Sequence, residues 1–296
     1  MKSKNLTRRN NEAYLYILPW LIGITVFTLY PFISSFYYAL CDYNPLQKPV
    51  FKGFGNFVAL FTKDREFYKS VKATFLYTVY VVPLKLAMSL LIAMMLNNAR
   101  KGIGVLRTVY YLPSLFGGSV AVAALWKIMF HSTGMVNNWL SFLGIAPIAF
   151  LGDPKWALPT LGLLEVWQFG SSMVMFLAAL KQVPASLYEA ARIDGAGGAR
   201  RFFRITLPCI SPIIFFCIIM QTINAVQNFT SAAVITEGGP LQSTYMLGWK
   251  LYVDGFKLWK MGYASATAWV IFGMIMLFTL TLFASSKFWV FYGDET

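Results

Sequence analysis

The side chains best suited to chemistry in this chain are polar groups set into long apolar runs. Glu165, Gln168 and Ser172 recur at i, i+3 and i+7 with Trp167 beside them. Gln221, Asn224 and Asn228 repeat that spacing further on, with Gln227 adjacent. On a helix each set gathers on one face. Amides, a carboxylate and an indole plane suit hydroxyl-rich rings, whose polar edges take hydrogen bonds while their apolar faces stack. Each polar group is costly in hydrocarbon unless it faces protein or water. The stripes therefore read either as the lining of a pathway or as hydrogen-bonding glue between helices. A carboxylate at depth needs a partner, and Lys85, in another apolar run, is the candidate. Lys85 could equally snorkel or meet an anionic sugar.

Reactive constellations do not emerge. The sequence has no Gly-x4-Gly-Lys-Ser/Thr loop and no Gly-Lys pair at all, so it supplies no phosphate cradle of that type for ATP. His131 stands alone, without metal-ligand spacing or a serine partner. Cys41, Cys209 and Cys217 form no framework. On one helix Cys209 and Cys217 would lie roughly 12 Å apart, too far for a disulfide. No catalytic, metal-binding or cofactor-binding residue is expected.

The polar, cationic stretch 184–212 is different in kind. Ser186 followed three residues later by Glu189 is a capping-box pattern and predicts a helix starting at Ser186. Leu187, Ala190, Ala191 and Asp194 fall on one face of that helix, with small side chains at its middle. Gly195 follows as a residue able to take positive φ and stop the helix. Gly197 and Gly198 permit a bend, a basic turn runs Ala199 to Thr206, and Pro208 suits the first turn of the next span. Such a surface fits docking into another protein's groove better than chemistry.

These segments must be positioned by helices in a membrane. The composition is 57% hydrophobic and only 12% charged, with a mean hydropathy of +0.58, whereas a soluble domain carries about 25% charged residues. Six apolar spans are expected at about 14–40, 71–96, 108–130, 157–180, 207–229 and 263–290, each long enough for a core of roughly 30 Å. The first span outruns a signal-peptide core of about 7–15 residues and reads as an anchor. Pro19 and Pro31 predict kinks in it. The connector 230–262 carries a turn at Gly238-Gly239-Pro240, and the aromatic stretch 245–260 reads as an interfacial helix. A net charge of +13 sits in short connectors rather than one patch, so nucleic acid is not an expected partner. Lys and Arg are roughly twofold denser on the side that would hold the tail 1–13, the turn at Arg100 and Lys101, the 184–206 loop and the tail 291–296. That side, with both termini, is read as cytoplasmic.

The run Glu189-Ala190-Ala191, Asp194-Gly195-Ala196, Phe202, Ile205, Leu207-Pro208 and Pro212 resembles the EAA loop of permease subunits of bacterial ATP-binding-cassette importers. Further matches lie along nearly the whole chain. They include Leu15 to Pro31 with Ser34-Ser35, Arg107-x-x-Tyr110-x-Leu112-Pro113, Trp126, Gly134-x-x-Asn137, and Thr236 to Pro240 followed by Ser243-Thr244. They are similar to the carbohydrate-uptake branch, and within it to the first of two non-identical membrane subunits of maltose and glycerol-phosphate importers. The resemblance implies an all-α membrane protein with the six-helix type I importer permease fold, in a bacterial plasma membrane. It implies that Ser186, Glu189, Ala190, Ala191, Asp194 and Gly195 dock in the cleft of an ATPase subunit. Glu165, Trp167, Gln168, Gln221, Asn224 and Asn228 would line the path of a sugar, expected to be an oligosaccharide. Gly238, Gly239 and Pro240 would lie near an extracytoplasmic solute-binding protein. The implied partners are that protein, a second permease, two ATPase subunits and membrane lipid, with ATP and Mg used by the ATPases and no cofactor held by this chain. The chain lacks the extra N-terminal helices and large extracytoplasmic insert of the larger maltose subunit, so no contact through them is expected. An ATP-independent, ion-coupled transporter or channel is the alternative; it favours inverted repeats, which are not evident here.

Overall fold

A computed structural model describes residues 16–98 and 102–291. The tail 1–13, the first residues of the first span, the pair Arg100 and Lys101 and nearly all of the tail 291–296 lie outside the described residues. The elements, in order, are helix α1 (Tyr16–Ala39), a ladder of strands β1 (Cys41–Asp42) and β2 (Val50–Phe51), and helices α2 (Gly55–Thr62) and α3 (Arg65–Asn98). Then come α4 (Ile103–Leu115), α5 (Val120–Met129), α6 (Met135–Phe142), α7 (Pro154–Trp167) and α8 (Gly170–Gln182). The remaining helices are α9 (Ala185–Ile193), α10 (Gly198–Cys209), α11 (Ser211–Val226), α12 (Leu247–Tyr252) and α13 (Met261–Ser286), with π-type turns at Ala232–Thr236 and Val253–Lys257 on either side of α12.

Three helices, α1, α3 and α13, are unbroken and long enough to cross a membrane. Three pairs reach that length only together: α4 and α5 bend by 96°, α7 and α8 by 47°, and α10 and α11 by 69°. Counting each bent pair as one span gives up to six crossings among the described residues. The expectation of continuous third, fourth and fifth spans is corrected here. Hydropathy averages over a window and does not register a break of a few residues. The tiny antiparallel ladder, pairing Cys41 with Phe51 and Asp42 with Val50, is the one departure from all-helical structure among the described residues.

Polar side chains sit among the apolar ones of the interior, while many large apolar side chains face outward. Ser70, Thr74, Ser89, Gln168, Ser172 and Gln221 are buried, whereas Trp20, Phe27, Phe75, Leu91 and Met95 face outward. That arrangement fits a hydrocarbon solvent, which hydrates no polar group and leaves apolar ones no reason to hide.

The described chain divides into two compact units. In the first, residues up to Asp64 pack with Leu251–Val270. The Trp269 indole donates to Ser35 Oγ at 3.1 Å, and its ring meets Phe32 and Phe36 with centroids 4.7 and 4.8 Å apart. Asn56 donates to the carbonyls of Ala39 and Cys41 at 2.9 and 2.8 Å, closing the end of α1 over α2. In α1 a widened π-type turn at Thr25–Leu29 precedes Pro31, which leaves room for a ring that cannot continue ordinary helical hydrogen bonding.

The second unit, Arg65–Lys250 with Ile271 onward, holds the polar interior. Here α3 lies against α7, α8 and α11, and α4 crosses α8. That crossing is tight at Gly170. An added Cβ would sit 2.6 Å from the Tyr110 carbonyl oxygen and 2.7 Å from Ser114 Oγ. Gly170→Ala is accordingly expected to destabilise the protein by about 1–3 kcal/mol, since backbone must move; a lower thermal midpoint of the purified complex would register it. The aromatic stretch expected at an interface is instead partly interior. Leu247 and Trp249 are buried, and the backbone at Gly248 lies so close to the Asn228 carbonyl that a Cβ would approach it to 2.7 Å.

Candidate functional site

Lys85 comes from α3, Ser114 from the end of α4, Gly117 and Ser119 from the break before α5, and Glu165 and Gln168 from the end of α7. Gln221 and Asn224 come from α11, Gln227 and Asn228 from the turn after it, and Thr230 and Ser231 from the short helical segment that runs on to Thr236. These residues line one cavity of about 380 Å³. The helix breaks build it. Where α7 stops, the Gln168 carbonyl accepts from Ser114 Oγ at 3.1 Å and the Phe169 carbonyl from Ser89 Oγ at 3.0 Å. The Ser171 amide donates to Ser114 Oγ at 3.2 Å. Hydroxyls from two other helices thus satisfy groups the break would leave orphaned, so the break needs no water to be stable.

Lys85 Nζ donates to Glu165 Oε1 at 2.5 Å. The side chains are only 6% and 20% exposed, so Glu165 has the partner that burial demands. Other members of the two stripes serve as glue. Gln221 Nε2 donates to Ser172 Oγ at 3.0 Å, joining α11 to α8, and Asn228 Nδ2 donates to Tyr77 Oη on α3 at 3.0 Å. The side-chain amides of Asn224 and Gln227, which also line the cavity, make no hydrogen bond among the described residues. Their amides stay available to a guest. Lining and glue coexist, residue by residue.

Of the expected pathway residues, Glu165, Gln168, Gln221, Asn224 and Asn228 come together here, and Trp167 does not line the cavity. Trp167 is partly exposed, with its ring 6.1 Å from Trp126 in a cluster that also includes Phe130. It precedes Gln168, and adjacent positions on a helix point about 100° apart. Ser114, Ser119, Ser171, Thr230 and Ser231 were not anticipated. Gly117-Gly118 and Gly170-Ser171-Ser172, small and polar inside apolar runs, were the available signal.

The 184–212 segment forms a helical hairpin. Helix α9 begins one residue before Ser186, with Pro184 as its cap at φ −59° and ψ 132° and no side-chain cap. The expected capping box is therefore not formed. Ser186 sits inside the first turn, where its hydroxyl cannot act as the N-cap. The end of the helix follows expectation: Gly195 has φ +71°. Ala196 N–H donates to the Ala191 carbonyl at 2.8 Å, and Gly195 N–H to Arg192 at 3.1 Å, the two bonds of a Schellman motif. Tyr188 Oη shares a 2.9 Å hydrogen bond with Thr206 Oγ1, tying the hairpin's two arms. Glu189, Ala190, Asp194 and Leu187 are exposed, and Ala191 is half-buried. Ile193, not singled out from sequence, is 88% exposed on this otherwise polar helix. Helix α10 runs past Pro208 because a π-type turn at Phe202–Thr206 widens it. The break falls at Ile210, and Pro212 opens α11. This corrects the expectation that Pro208 would start the fifth span.

Gly238 (φ +85°) and Gly239 enter a compact turn in which Gly239 is followed by a cis Pro240. A Cβ on Gly238 would meet Tyr245 Cδ2 at 2.6 Å. Thr244 Oγ1 donates to the Gly239 carbonyl at 2.7 Å, and Gln242 is held by Glu66 and Lys69 of α3 at 2.9 and 2.8 Å. The turn is anchored on both sides, and Leu241 projects from its tip at 89% exposure.

A family model described as the inner membrane component of binding-protein-dependent transport systems matches residues 53–289. The chain belongs to this family. As a transport permease it is a multi-pass membrane protein and a transport subunit rather than an enzyme. It is 46% identical over 99% of its length, and 96% of the relative's, to the "Probable ABC transporter permease protein YesP" of Bacillus subtilis. It is 34% identical to the lactose transport system permease protein LacF of Rhizobium radiobacter, covering 93% of this permease and 94% of that protein. Among solved structures, a chain of a bacterial alginate ABC transporter, crystallised in complex with a periplasmic protein bound to alginate pentasaccharide, superposes with a TM-score of 0.83. The two share 25% identity over 97% of this permease and 98% of that chain. The type I importer permease fold expected from sequence is thereby borne out.

Proposed function

We propose that this permease forms the sugar-conducting path of an ATP-driven, binding-protein-dependent importer, in partnership with a second, non-identical permease. The cavity carries the reading. Its about 380 Å³ fall within the range of small-molecule sites. Its walls offer amides and hydroxyls with little net charge, because Lys85 and Glu165 neutralise each other. Gln168, Gln221, Asn224 and Asn228 would give and take hydrogen bonds with sugar hydroxyls as the cavity opens to each side in turn. Relatives bearing carbohydrate names support the cargo class.

In the same reading α9 seats in an ATPase subunit's cleft. Ser186, Glu189, Ala190, Ala191 and Asp194 form its contact, and Gly195 fixes the elbow behind it. Closure of two ATPase subunits around ATP and Mg moves the hairpin as a lever. A solute-binding protein docks on the opposite face near Gly238, Gly239 and Pro240, and the termini lie with α9 in the cytoplasm. Exposed Leu187 and Ile193 would add apolar area to such a contact.

Asn224→Leu tests the pathway. The variant keeps the helix and deletes an amide that bonds to nothing else among the described residues. Sugar uptake into proteoliposomes is expected to fall by roughly tenfold or more, the cost of one unpaired polar contact to cargo, while complex assembly and basal ATP hydrolysis persist. Unchanged uptake would remove Asn224 from the path.

A further inference from the structure

A second groove, of about 470 Å³, lies between the hairpin and the helices behind it. Met94 and Asn97 at the end of α3, Leu180 on α8, Tyr188, Glu189 and Arg192 on α9, and Arg201 and Phe202 on α10 are among its walls. Two guanidinium groups against one carboxylate leave it with a net positive charge. Among the described residues neither Arg192 nor Arg201 has an ion-pair partner. The planar fork of a guanidinium suits one class of guest above others, the tetrahedral oxyanion.

We infer that this groove binds a phosphate group, held between Arg192 and Arg201, that braces the hairpin against the ends of α3 and α8. The apolar wall of Met94, Leu180 and Phe202 fits the first acyl methylenes of an anionic phospholipid, and a soluble phosphate would satisfy the same two arginines. Neither source depends on the identity of the cargo.

The test uses the intact importer complex in nanodiscs. Amide hydrogen exchange over 185–206 is followed in phosphatidylcholine alone, in phosphatidylcholine with phosphatidylglycerol, and in phosphatidylcholine with inorganic phosphate. Roughly tenfold slower exchange with phosphatidylglycerol, lost in Arg201→Gln, is the expected result, that being the effect of one charge-assisted hydrogen bond. Equal protection by inorganic phosphate, again lost in Arg201→Gln, upholds the site and makes its guest a soluble anion. Should the Arg201 variant fail to assemble, Arg192→Gln decides, because Arg192 is exposed. Arg200→Gln, equally basic but outside the groove, should leave protection intact. No protection by either anion, or protection that survives loss of Arg192 and of Arg201, overturns the inference.

Discussion

Replacing Glu165 with alanine is expected to destabilise the assembled importer by about 3–5 kcal/mol, because it strands the Lys85 ammonium in the interior. Lys85 Nζ has its carboxylate at 2.5 Å and its side chain is 6% exposed. Lys85→Ala should cost a similar amount by stranding the carboxylate. The double replacement Lys85→Met with Glu165→Leu should recover most of the loss, since an apolar pair of similar volume needs no desolvated charge. Thermal or denaturant unfolding of the purified complex measures all three. A single variant as stable as the parent would mean that the cavity hydrates both groups, and the pair would then be no latch between α3 and α7.

Replacing Gly195 with valine is expected to reduce uptake at least tenfold while the complex still reaches the membrane. Nothing lies within 4 Å of a Cβ placed there, so the cost is conformational rather than steric. A β-branched residue resists φ near +71°, at roughly 1–2 kcal/mol or more. The chain can escape only by giving up the bonds from Ala196 to Ala191 and from Gly195 to Arg192. Helix α9 then loses its fixed angle to α10, and a lever with a loose elbow transmits little. Gly195→Asn separates conformation from space, because asparagine tolerates this region of φ and should keep most of the uptake. Equal harm from both substitutions, or none from valine, would contradict the account.

The outline of this molecule was legible in its residues. Apolar runs located the crossings because hydrocarbon tolerates little else over some 20 positions. The 184–212 pattern marked a hairpin because glycines and prolines act locally. Lys85 could be named as a candidate partner for Glu165, since a charge at depth needs one, but snorkelling and an anionic sugar stayed open until their ion pair was seen. What stayed hidden depends on tertiary fit. The break at Gln168 holds because Ser89 and Ser114 reach it from residues far away in sequence. Trp167 turned from the cavity through its position on the helix, although its chemistry suits a sugar. Ser186 lost its capping role to Pro184, two residues earlier, a margin finer than sequence patterns resolve. Ile193 passed unnoticed because an isolated isoleucine becomes informative only once its exposure is known.

One measurement bears most directly on the claim that this chain conducts sugar only when a separate ATPase drives it. Proteoliposomes carrying the full complex, with binding protein and sugar on one side and ATP on the other, should accumulate the sugar. Omission of either ATP or the binding protein should abolish accumulation. Sugar movement by this chain alone, driven by an ion gradient and indifferent to nucleotide, would contradict the account.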